Sequence, residues 1–264
     1  MDEKEPETSV HQNELITSRT ELLKGEKYSD LIIKCDGQGW RVHKAVMCST
    51  SSVLATACDI EMKEGISGVI DHDTFDAATV GRMIAYVYKR NYSVETEDEV
   101  LAASQLPAAY NEEPEVPKGI NEVLIAHANA YAIGEYYHIP TLKAFAVERF
   151  DAVSRRGLQA DGFVDVIKAV WTQTDSGDKK LRSCLRDYAY CHRFKLAHDE
   201  AFGHRLADED GVHAFTVELF QHTVQEQVAM RNRTWSDENR EAVIALRKRI
   251  SAGISQQAEA GAGD

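Results

Sequence analysis

No apolar run in the 264 residues approaches the ~20 that a membrane span requires, so a spanning helix is excluded. Cysteine is sparse: Cys35, Cys48, Cys58, Cys184 and Cys191 form an odd set without a CxxC pair. That fits free thiols in a reducing compartment better than a disulfide framework. Positive charge is also short, with 30 Lys and Arg against 43 Asp and Glu and a formal net charge of -13. Affinity for phosphate backbones comes largely from cations that displace counterions, so direct DNA or RNA binding is not expected. Neither a GxxxxGK[ST] loop nor a GxGxxG turn occurs, which leaves nucleotide chemistry without a phosphate cradle. The first residues, Met1 through Glu7, are too acidic and polar for a signal peptide, and the expectation is an intracellular protein, in nucleus or cytoplasm.

What remains is a folded composition, with 43% apolar and 28% charged residues. Residues 1–13 are polar and read as a disordered tail. From Asn13, Leu15, Ile16, Leu22 and Leu23 recur at loosely helical spacing, with Gly25 as a stop. Leu31, Ile33 and Cys35 then alternate on one strand face and Trp40 and Val42 on another, with Asp36-Gly37 as the turn of a hairpin. After His43, the apolar positions Ala45, Val46, Val53, Leu54 and Ala57 suit helix. A short third strand is expected at Gly68-Val69-Ile70-Asp71. Asp73 reads as the N-cap of a helix whose apolar stripe is Val80, Met83, Ile84, Val87 and Tyr88.

The pattern stops from Ser93 to Gly119, where acidic residues surround Pro107, Pro114 and Pro117. This reads as a solvated, unfolded acidic insertion over 93–119. Helical periodicity returns with Val123, His127, Ala130, Tyr131 and Gly134 on one face. Ile139-Pro140 closes that helix and opens another that runs to about Val153. Beyond Arg156 three stripes predict an all-helical region over 156–250: Phe163, Val166, Ile167, Val170; then Leu181, Cys184, Leu185, Tyr188; then Val212, Phe215, Leu219, Phe220. Residues 251–264 are small and polar, a second disordered tail.

Three blocks, taken in order and spacing, carry a family resemblance. Tyr28-Ser29-Asp30-Leu31 precedes Val42-His43-Lys44-Ala45-Val46 and Cys48-Ser49. Gly68 to Asp71, Phe75, Val80, Met83 and Tyr86-Val87-Tyr88 follow. His127-Ala128, Tyr131-Ala132, Tyr137, Ile139-Pro140, Leu142, Ala146 and Phe150 complete the set. Together they resemble the BTB/POZ domain, particularly the small BTB proteins of filamentous fungi, over roughly Leu15 to Val153. The helices after Arg156 are distantly similar to the BACK-like extension that follows many such domains. The resemblance implies an α+β fold, a short three-stranded sheet flanked by helices over 14–155, followed by an all-helical C-terminal unit. It also implies action by protein–protein contact, with no enzyme chemistry and no cofactor.

The same resemblance points to candidate partner-binding residues. Asp30, His43 and Lys44 correspond to a charged pocket at the dimer centre, although a buried aspartate also needs hydrogen bonds for the fold alone. Met62-Lys63-Glu64 fits the hydrophobic-x-Glu pattern of cullin-binding BTB domains, an apolar anchor beside an acceptor. An ordinary solvated loop would read the same way. Leu15, Ile16, Leu22 and Leu23 lie where many BTB domains homodimerise, or else cover the domain's own core.

Other chemistry is weakly signalled. Cys184, Cys191, His192, His198 and His204 offer soft ligands without zinc-site spacing, so no metal is expected. His43 with Ser49, Ser51 and Ser52 has triad residue types but no nucleophile turn. The expected function is a scaffold or oligomerising module. The alternatives are a substrate adaptor of a cullin-type ubiquitin ligase and a transcriptional cofactor without direct DNA contact.

Overall fold

The computed structural model describes residues 7–59, 62–103, 116–157, 159–174, 179–209, 211–233 and 244. The hairpin forms as its turn chemistry dictates. Strand β1 (Leu31–Cys35) pairs antiparallel with β2 (Gln38–Val42), placing Leu31 opposite Val42 and Ile33 opposite Trp40. Trp40 and Val42 therefore share the face of Leu31 and Ile33 rather than forming another. Asp36 (φ 48°) and Gly37 (φ 76°) are both left-handed, as a two-residue type I′ turn requires. The Asp36 carboxylate also accepts from the Ala77 N–H at 3.1 Å, fastening the turn to a following helix. Strand β3 (Val69–His72) lies parallel to β1 on its other side, giving the order β2-β1-β3.

Helices cover the sheet. The segment α1 (Glu7–Gly25) precedes it, and α2 (Lys44–Thr50), α3 (Ser52–Ala57) and α4 (Lys63–Ser67) connect β2 to β3. After β3, α5 (Ala77–Lys89) buries Val80, Met83, Ile84, Val87 and Tyr88, the whole expected stripe. Its N-cap is Asp76 rather than Asp73: the Asp76 carboxylate accepts from the Thr79 N–H at 2.8 Å, whereas Asp73 accepts from the hydroxyl of Thr74. The first turn needs an acceptor one residue before its start, and only Asp76 stands there.

Helix α7 (Ile120–Tyr136) is buried nearly all round, and α8 (Pro140–Ser154) packs along it. Gly134 makes that approach close: a Cβ there would sit 3.1 Å from the Lys143 side chain and 3.3 Å from that of Leu142. Helices α9 (Phe163–Gln173), α10 (Lys179–Cys191), α11 (Arg193–His198) and α12 (Glu200–Asp208) follow. Since α9 packs on α7 and α10 on α8, the compact unit that holds the sheet runs on to His213 and takes in the helices that follow residue 155. A second unit begins at Ala214 and contains most of helix α13 over 213–233. Of the third stripe, Val212 precedes the helix, Phe215 is buried, and Phe220 is exposed.

Two expected disordered stretches differ. Helix α1 begins at Glu7, inside the expected tail. Within the acidic stretch, α6 (Glu97–Ala103) is helical, with Val100 buried. Residues 1–6, 104–115 and 251–264 lie outside the described residues.

The reason for order at α6 is a buried polar clasp. The Glu97 carboxylate accepts from His127 Nε2 at 3.1 Å and pairs with Arg149 Nε at 2.8 Å. Because the carboxylate can only accept, Nε2 carries the proton, and the Tyr92 hydroxyl donates to Nδ1 at 2.8 Å. Burial alone would raise the Glu97 pKa, but the bonds from His127 and Arg149 outweigh it and hold the carboxyl below its ordinary range. Burial lowers the His127 pKa, with Glu97 opposing. Thus α6 is pinned to α7 by a charge-assisted hydrogen bond and to α8 by an ion pair, and a composition rich in acid hides an inward-facing glutamate.

Two predictions follow from these attachments. Asp76→Ala should cost about 1 kcal/mol, read as a lower urea midpoint at unchanged slope. Acid should destabilise the chain in two stages, because both shifts are downward and the unfolded chain then binds more protons. Stability should fall first below pH 6.5, the ordinary histidine value, and again below 4.5, the ordinary glutamate value, as pH drops toward the lowered folded values. His72 and His192, also lowered by burial, add to the first stage. Urea midpoints from pH 8 to pH 4 check this, and His127→Gln should flatten the first stage; an equal slope in both chains would contradict the assignment.

Candidate partner-binding surface

The junction from β2 into α2 gathers three of the sequence-selected residues. His43 is buried; its backbone N–H and its Nδ1 both meet the Tyr88 hydroxyl of α5 at 2.8 Å, and its Nε2 lies 2.8 Å from the Lys27 carbonyl. A carbonyl only accepts, so Nε2 bears the proton and Nδ1 accepts from Tyr88. His43 is the N-cap of α2 but gives it no side-chain bond. Asp30 supplies the missing acceptor, taking the Lys44 N–H at 2.7 Å. Asp30 is exposed, not buried as expected, because its carboxylate lies at the helix start near solvent. The three residues do meet, and the bonds they make are those of fold maintenance.

Lys44 carries the junction outward. Its ammonium donates to the Gly65 carbonyl in α4 at 3.3 Å. Gly65 in turn lies against the chain before it: a Cβ there would stand 1.7 Å from the Asp59 carbonyl oxygen. No side chain fits that gap, so the loop can close only with glycine at this position. Gly68, left-handed at φ 65°, ends α4 and returns the chain to β3.

This anchoring presents an apolar pair. Met62, the N-cap of α4, is 46% exposed, and Ile66, one turn on, is 77% exposed. The Ile66 N–H donates to the Met62 carbonyl at 3.0 Å, which holds the two residues one turn apart. Glu64, half-buried, lies between them in the first turn. Met62 and Glu64 were selected from sequence and Ile66 was missed, though its spacing of four from Met62 was the available signal.

The α1 residues divide. Ile16, Leu22 and Leu23 are half-buried on a helix that packs against α5, whereas Leu15 is 62% exposed. Most of the candidate dimer face thus also covers the chain's own core.

The weaker constellations do not assemble. Ser49 donates to the Val46 carbonyl and Ser51 to that of Tyr137, while the His43 ring nitrogens bond to Tyr88 and Lys27. Cys184 lies 3.8 Å from an Asp151 carboxylate oxygen, and burial pushes its thiol up to about 12, as it pushes Cys48 up to about 11. All five cysteines are free. Among the described residues, no three of His, Cys, Asp and Glu converge as a metal site, and no helix is long and apolar enough to cross a membrane.

Comparison with known proteins places this geometry. The family model described as BTB/POZ domain matches residues 20–109, from the middle of α1 through the sheet and α2–α5 to just beyond α6. No curated protein matches the chain. The match identifies a BTB/POZ domain at residues 20–109, and domains of that family mediate protein–protein interaction.

Proposed function

We propose that this chain is an interaction scaffold that recruits a protein partner through α4, with Met62 and Ile66 as the apolar anchor and Glu64 as the polar neighbour. The observation that carries the reading is the exposure of two large apolar side chains on a segment held in place by Lys44 and by the Gly65 contact. A rigid apolar pair beside a charged acceptor is the arrangement that concentrates binding energy in a small patch, since little ordering cost remains when the partner arrives. The partner supplies a hydrophobic recess for the pair and a cation for Glu64.

A second reading is favoured by one specific feature. Met62-Lys63-Glu64 stands at the head of the helix before β3, the place and pattern expected of a cullin contact, so the partner would be a cullin-type subunit of a ubiquitin ligase. The chain would then be a substrate adaptor.

Affinity purification of the tagged chain from its source cells, followed by mass spectrometry, separates these. Met62→Ala with Glu64→Lys, and separately Ile66→Arg, should each deplete the α4-dependent partners at least tenfold while circular dichroism stays unchanged. Cullin recovery that is lost in both variants supports the adaptor; loss of other partners without any cullin supports the scaffold. A partner list identical in all three chains contradicts the α4 reading.

A further inference from the structure

Helix α13, over 213–233, carries an apolar stripe that the BTB/POZ reading leaves unused. Val217, Phe220, Val224 and Val228 are 42%, 69%, 42% and 53% exposed. Their spacing of three, four and four confines them to an arc of about 80°, at about 100° per residue. The flanks are Thr216, Gln221, Gln225 and Gln227, polar but uncharged. A narrow apolar seam with a neutral rim is what a partner helix requires.

The charges say which helix fits. The whole chain is strongly acidic at -13, yet in 214–233 Glu218 and Glu226 are balanced by Arg231 and Arg233. Self-association, which the acidic body opposes, meets no net repulsion here. The charges are also ordered along the axis: Glu218 lies near one end of the seam and Arg231 at the other. Two copies in parallel would bring Arg231 to Arg231. Antiparallel, each Arg231 comes to the Glu218 end of the other copy. With Val224 on the two-fold axis, each Phe220 then faces a Val228, a large side chain against a smaller one, as close packing favours.

We infer that α13 is a homodimerisation helix, pairing antiparallel with α13 of a second copy about Val224. This contact is separate from any self-association through α1. The test uses the full chain. Sedimentation equilibrium should give a mass that halves in Val224→Glu, which places two carboxylates together on the axis, with the helical signal by circular dichroism unchanged. The same halving should persist in a Leu15→Glu background.

Geometry is tested by cross-linking with oxidised glutathione, against the native chain as baseline. Val224→Cys should form a disulfide-linked dimer. Val217→Cys should not, because in the antiparallel pair the two copies of residue 217 lie about 21 Å apart along the axis, 14 residues at about 1.5 Å each. A native mass that is already monomeric, a mass unchanged by Val224→Glu, or equal cross-linking at both positions would overturn the inference.

Discussion

Two consecutive residues at the exit of β2, His43 and Lys44, hold the sheet, α5 and α4 in one arrangement. His43 spends both ring nitrogens and its backbone N–H on Tyr88 and Lys27, so the strand exit cannot shift without stranding buried polar groups. Asp30 closes the start of α2 on the Lys44 N–H, and the Lys44 side chain reaches Gly65. A charge-bearing pair that is read as a docking pocket thus acts first as a bracket. The consequence for function is indirect: the bracket sets where Met62 and Ile66 stand.

The clasp around Glu97 uses the same physics in a deeper setting. Buried ionic groups contribute little net stability when fully paired, but removing one partner leaves the others desolvated, at a cost of roughly 3 kcal/mol or more. Glu97, His127 and Arg149 come from three helices, so the clasp specifies how α6, α7 and α8 meet rather than simply adding adhesion. Beyond the acidic stretch, Val116 separately approaches Gly157.

Much of this architecture was legible from residue pattern. Asp36-Gly37 demands left-handed backbone at two positions, and the alternation on either side leaves one register for the hairpin. The stripes of α5, α7 and α9 are broad and follow the helical period, so their burial could be read directly. What escaped had local causes. Asp73 and Asp76 both stand before α5, and which one caps depends on where β3 releases the chain. Glu97 lies among six other acidic residues, and only the tertiary placement of His127 and Arg149 distinguishes it. Burial of Ile16 without Leu15 depends on which side of α1 meets α5, a tertiary choice that loosely spaced leucines do not decide. Ile66 was passed over because α4 is too short for its period to stand out. The candidate surface was therefore half legible: its tripeptide could be seen, and its second apolar anchor and its support from Lys44 could not.

The central claim is that partners meet this chain on a preformed α4. Amide hydrogen exchange, measured on the full chain alone and in complex with a partner it captures, tests that claim most directly. The account predicts measurable protection in the free chain at Ile66 and Gly68, whose N–H groups are bonded within the segment, and strong further slowing across 62–67 in the complex. Slowing confined to other elements, with 62–67 unchanged on binding, would contradict it.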